Sequence, residues 1–157
     1  MATFTETSVL TTGAKCVNGL TPFQVTWTYT DAKYSTLLAN DVINIFKFPL
    51  KAELVAPLGF TVAASGDLDT NGSPTWAFDL NIGDDIDGAS VTALIANSTA
   101  GRTAADVDAL DSTTVQYRDV GDKYLQMKVD ALPATAGEGA KLVFRGFFIN
   151  SENGSQA

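Results

Sequence analysis

The stretch PFQVTWTYT constrains the fold more than any other, because its hydrophobic side chains recur at every second position. Phe23, Val25, Trp27 and Tyr29 alternate with Gln24, Thr26, Thr28 and Thr30, the period of a β-strand with one buried face. DVINIFKF, from Asp41 to Phe48, is apolar on both faces and reads as a more deeply buried strand. Pro49 ends it, and AELVAPLGFTVA follows with Pro57 inside. A mid-strand proline removes a ladder donor, so this segment belongs at a sheet edge or a bulge. GDLDTNGSP reads as a hairpin turn in which Asn71 and Gly72 supply positive φ angles. In the next strand, Thr75 to Gly83, the alternation of Trp76, Phe78, Leu80 and Ile82 points these residues into the core.

Helical spacing shows in DGASVTALIANSTAG, where Val91, Leu94, Ile95 and Ser98 share a stripe and Gly101 closes the C-terminus. A short covering helix is expected there, with a further turn in TAADVDAL. Strands resume with TTVQYRD, KYLQMKVDAL and AKLVFRGFFIN. With an N-terminal strand near Thr5 to Leu10, the expectation is about eight strands and one short helical insertion, an all-β chain folded as an antiparallel two-sheet β-sandwich of jelly-roll type. An α/β fold would need a helix between most strands. No repeat or linker divides residues 1–157, so one domain is expected, ending in the polar tail 150–157.

Composition narrows the chemistry. With 157 residues, 45% hydrophobic and 18% charged, the chain can bury a substantial core and fold as a soluble globular protein. Its net charge of −8, without a run of Lys or Arg, excludes nucleic acid and an anionic membrane as expected partners. The acidity serves solubility or docking on a basic protein surface. Cys16 is the single cysteine and histidine is absent, which removes an internal disulfide, a Cys/His zinc site and Ser-His-Asp or Cys-His catalysis. MATFTETSVLTTGAK lacks the basic start and apolar run of a secretion signal. No segment reaches the roughly 18 apolar residues of a membrane helix. Synthesis in the cytoplasm of the producing cell is therefore expected, and the sequons at Asn71, Asn97 and Asn153 read as polar turns.

Two acidic stretches invite a functional reading. DLDTNG, Asp67 to Gly72, begins like a calcium loop, but its twelfth position is Phe78 where a bidentate Glu is required. A polar turn is expected instead. Asp84, Asp85 and Asp87 follow the end of a strand and precede the expected helix, so capping and turn formation account for them, with Asp87 or Ser90 as the cap. GEGAK, Gly137 to Lys141, lacks the spacing of a phosphate loop and reads as a turn. No catalytic, metal or cofactor-binding residue is assigned, and no cofactor is expected. Arg145 interrupts the apolar run LVFRGFFI. On a buried face it would require a carboxylate partner or an interface. Arg145 and Phe147 are therefore candidate interface residues, and a homodimer or homotrimer with this strand near the contact is expected.

The order of segments, DVINIFKF, a proline, a second apolar strand, a turn, then FDLNIGDDIDG running into ASVTALIANSTAG, resembles the small head proteins of tailed bacteriophages, in particular capsid decoration (cement) proteins. The resemblance covers Asp41 to Gly101. It implies a jelly-roll-like sandwich, multimeric on the capsid exterior of the virion after synthesis in the host cytoplasm, clamping neighbouring subunits of the major capsid protein without catalysis. No family functional residue carries over. The residues also leave open another virion component at the head-tail junction or tail, a carbohydrate-binding β-sandwich, and a hydrolase with paired Asp carboxylates about 5 to 9 Å apart.

Overall fold

A computed structural model describes residues 2–6, 11–12, 20–55, 58–83, 94–109, 117–119 and 121–150. Its strands are β1 (Thr3–Thr5), β2 (Thr11–Thr12), β3 (Leu20–Thr28), β4 (Val42–Lys47), β5 (Ala52–Val55), β6 (Thr61–Ser65), β7 (Ala77–Gly83), β8 (Ile95–Ser98), β9 (Val107–Ala109), β10 (Tyr117–Asp119), β11 (Tyr124–Ala131) and β12 (Lys141–Asn150), with one turn of helix, α1 (Asp31–Tyr34). One sheet has the order β1-β4-β11-β7-β8. The other runs β10-β5-β12-β3-β2, with β6 beside β12 and β9 beside β6.

Both β5 and β6 pair with β12, at Phe148 to Asn150 and at Lys141 to Arg145 respectively. Each is flanked in turn by β10 or β9. The two pairs therefore act as two interrupted strands. Counted so, the sheets read β3, β12, β5/β6, β10/β9 and β4, β11, β7, β8, the eight-strand double-sheet order of a jelly roll. Twelve strands among the described residues thus reduce to eight in number but not to the eight expected: β8 stands where a helix was expected, and the N-terminal β1 and β2 are additional to the eight.

Several local expectations are corrected. Ile95–Ser98 is a strand rather than helix, pairing antiparallel with β7 through Leu80↔Ile95 and Phe78↔Ser98. A short apolar run fits either period, and the free ladder groups of β7 decide the outcome. Residues 84–93 of that expected helix lie outside the described residues. TAADVDAL contributes Val107–Ala109 as a strand on β6, not a helical turn. Gly101 does adopt a positive φ of 102°, but its carbonyl accepts the N–H groups of Leu68 and Asp69 at 2.8 and 3.1 Å rather than ending a helix. Loop 66–76 joins β6 to β7 in opposite sheets, so it is no hairpin. The positive φ there belongs to Gly66, at 89°, and not to Asn71 or Gly72. The N-terminal strand is Thr3–Thr5, with 7–10 outside the described residues. Pro57 also lies outside them, and its flanks β5 and β6 are interior to their sheet rather than at an edge.

The inner faces share one core. Trp27 and Trp76 stack with centroids 6.3 Å apart and planes 5° from parallel. Each indole N–H is satisfied, by Tyr34 Oη at 2.9 Å and by the Ala100 carbonyl at 3.1 Å, which lets both rings be buried without an orphaned donor. Phe23 contacts Phe46, Phe48, Phe60 and Phe148. Gly146 lies opposite Phe23 in the ladder and leaves room for this cluster, since a Cβ there would press on the Phe23 and Phe60 rings at 3.0 Å.

Candidate interaction surface

The acidic loop DLDTNG is built around Asp69, which is 1% exposed. Its carboxylate accepts backbone N–H groups from Thr75 at 2.7 Å, Ala134 at 2.9 Å, Trp76 at 3.1 Å, and Asn71 and Thr135 at 3.2 Å. Burial by itself would raise its pKa. The N–H groups of Ala134, Thr75, Thr135 and Trp76 favour the charged form more strongly and hold it at about 2. Asp67 accepts the N–H of Ala104. The carboxylates of this loop thus serve backbone donors, and among the described residues no group of three or more His, Cys, Asp or Glu is placed to hold a metal. Asp84, Asp85 and Asp87 lie outside the described residues, as does their capping role. GEGAK is a hydrogen-bonded turn, with Gly137 N–H donating to the Leu68 carbonyl at 2.7 Å and Gly139 N–H to that of Tyr29 at 3.0 Å.

Trp76 is fully buried, so it offers no platform to a sugar. A cavity of about 150 Å³ lies between Tyr29, Tyr34, Leu37, Leu132 and Ala136. Its lining, which also includes Ser35 and Pro133, lacks the carboxylate pair that glycoside hydrolysis needs.

Both candidate interface residues stand on the outward face of β12. Leu142, Phe144, Gly146 and Phe148 are buried, while Arg145 is exposed and Val143, Phe147 and Ile149 are half-buried. Arg145 therefore sits on the solvent side, not on the buried face that its apolar neighbours suggest, because a period of two separates it from them. Its Nε donates to Gln24 Oε1 at 2.8 Å across the ladder.

The outward face of the five-stranded sheet differs. Asn44, Gln126 and Asn81 form a row across β4, β11 and β7, and all three are buried. Gln126 Nε2 donates to Asn44 Oδ1 at 2.9 Å, and Asn44 Nδ2 to Thr5 Oγ1 at 3.5 Å. Beside this row, burial, then the charge of Asp79 and a hydrogen bond to it, raise the Asp130 pKa, with Lys128 opposing. Sequence reasoning did not single out this row. Its signal was a polar residue at the centre of DVINIFKF and of YLQMK, runs that otherwise read as buried.

A third feature gathers on the loops at one end. Asp31, Asp67 and Glu138 are exposed there, and Asp31 N–H donates to Glu138 Oε2 at 2.6 Å. Burial, a hydrogen bond to Asp31 and the charges of Asp31 and Glu138 raise the pKa of the Tyr29 phenol.

No protein-family model and no curated protein matches the chain. Two solved structures do. A chain in the capsid of Ralstonia phage GP4 is 24% identical with a TM-score of 0.68, over 95% of this chain and 98% of that one. A chain in the capsid asymmetric unit of cyanophage Pam1 is 25% identical with a TM-score of 0.51, over 91% of this chain and 94% of that one. These likenesses support a phage capsid-related structural protein.

Proposed function

We propose that this chain is a capsid decoration protein of a tailed phage, binding the outside of the head and tying neighbouring major capsid subunits together without catalysis. One observation carries the reading. The similarity runs nearly end to end in both chains, 95% of this one and 98% of the phage GP4 capsid chain, so the matched partner is itself a subunit of this size. A small acidic jelly roll suits an added clamp on a shell. Its contacts are repeated over the surface, so modest affinity per site can still strengthen the whole through multivalent attachment. The net charge of −8 favours a partner surface rich in Lys and Arg, and docking slows as salt screens it.

In this reading the chain also self-associates, as a homodimer or homotrimer, with Arg145 and Phe147 at the contact. The test uses heads that lack the protein, with and without purified chain added back. Saturable binding and a higher temperature of DNA release or shell disruption are expected. Absence of saturable binding, or a position at the neck or tail of the virion, overturns the decoration role.

A further inference from the structure

We infer that copies of this chain associate head to tail, the outward face of β12 around Arg145 in one copy seated against the loop end bearing Asp31, Asp67 and Glu138 in the next. The inference rests on the self-association proposed above and specifies its geometry.

The β12 face is cationic at its centre within an acidic protein, with Glu53 opposite Ile149 at the far end. Its charged residues at the centre and near end are Arg145 and Lys141, both exposed. The ladder neighbours of Arg145 are the uncharged Gln24 and Thr61. Val143 and Phe147 flank it, half-buried, so the guanidinium stands over a partly apolar surface. The bond from Nε to Gln24 fixes its orientation. This combination of apolar ground and a pre-oriented Arg is what an interface centre carries.

The acidic end is built by convergence of three loops. Glu138 holds the Asp31 N–H. Gly137 donates to the Leu68 carbonyl, and its Cα lies so near the Asp67 carbonyl that a Cβ would collide with it. Nearby cations offset part of this charge: Lys33 Nζ pairs with Glu6 at 2.9 Å, Arg102 donates to the carbonyls of Trp76 and Thr75 at 2.7 and 3.3 Å, and exposed Lys141 follows Glu138 by three residues. Asp31 and Glu138 nonetheless act together at this end: after burial, a hydrogen bond to Asp31 and the charges of both carboxylates raise the Tyr29 phenol.

Charge then disfavours one arrangement. A two-fold contact centred on the β12 face sets each Arg145 near its own copy, and like charges juxtaposed across an interface are disfavoured. A heterologous contact sets Arg145 against carboxylates, and closes into a ring when the rotation permits.

Sedimentation of the full chain at low salt tests this. Arg145→Glu is expected to weaken association at least about tenfold, as is the pair Asp31→Lys with Glu138→Lys. Neutral Arg145→Gln should fall between, and thermal melts confirm that each variant folds. Combining Arg145→Glu with both Lys substitutions in one chain should restore association. Retained association in Arg145→Glu, or no rescue in the combined variant, overturns the head-to-tail contact. A wild-type chain that stays monomeric also overturns it, while binding to heads, measured separately by co-sedimentation, decides the decoration role independently.

Discussion

On the seven-stranded sheet the outward side chains Gln24, Thr26 and Arg145 stand in solvent, whereas on the five-stranded sheet the outward Asn44, Asn81 and Gln126 are 0%, 3% and 1% exposed. Both sets obey the same alternation and are of similar polarity. What separates them is coverage. On the covered face, each amide that leaves water must find a protein partner, as Gln126 finds Asn44 and Asn44 finds Thr5. On the open face, Thr and Gln pay no such penalty, and the face remains free to meet another surface. The comparison therefore directs a docking hypothesis to β3 and β12 and away from β4 and β11.

The largest expected effect tests the shared core beneath both faces. Trp27→Ala, which removes a ring stacked on Trp76, is expected to cost about 3 to 5 kcal/mol. Thr26→Ala, one residue away on the open face, should cost under about 0.5 kcal/mol. Chemical denaturation reads both, and equal losses would mean that β3 is covered on its two sides.

The next prediction compares the two outward faces directly. Asn44→Ala leaves the buried Gln126 amide without its acceptor and should cost about 1 to 3 kcal/mol. Gln24→Ala removes an acceptor from the exposed Arg145 and should cost under about 0.5 kcal/mol. Similar values at the two sites would end the distinction drawn between the faces.

A third concerns the loop that carries the chain from one sheet to the other. Asp69 is held at about 2 from an ordinary 3.8. Its folded-state pKa is depressed, so its stabilisation is complete above the ordinary value and is lost as pH falls from there through the folded value. Over that window the wild-type chain should lose about 2 kcal/mol more than Asp69→Asn. Denaturation midpoints measured across the acid range check this, and parallel curves for the two chains would refute it.

The smallest expected effect has the opposite sign. Asp130, on the five-stranded sheet, has a raised pKa, so its charged form opposes folding, and its contribution worsens as pH rises through the folded value. Asp130→Asn should stabilise the protein at neutral pH by under about 1 kcal/mol and leave acid stability unchanged. A lower melting temperature for this variant at neutral pH would count against the account.

β3 and β7 were legible in the sequence because each presents its alternation over seven to nine residues, and β12 was legible as a long apolar run. Ile95–Ser98 was not, since four residues fit a helical stripe as well as a strand until β7 offers a ladder. Arg145 was legible as an anomaly, but its side of the sheet followed from registering it against Gln24. Asp69 could be read as a turn residue. Its function as the centre of a loop network could not, because Ala134 and Thr135 bring their N–H groups from 65 and 66 residues away.

Side-chain period, the missing histidine and the lone Cys16 are properties of the chain itself, and they determined an all-β domain without Cys/His chemistry. Which strands became neighbours, which polar row was covered and where Asp31, Asp67 and Glu138 converged were decided by tertiary structure. The physical reason is that alternation is a local preference each segment carries with it, while burial and electrostatic field at a residue are set by groups far along the chain that only the packed sheets bring near.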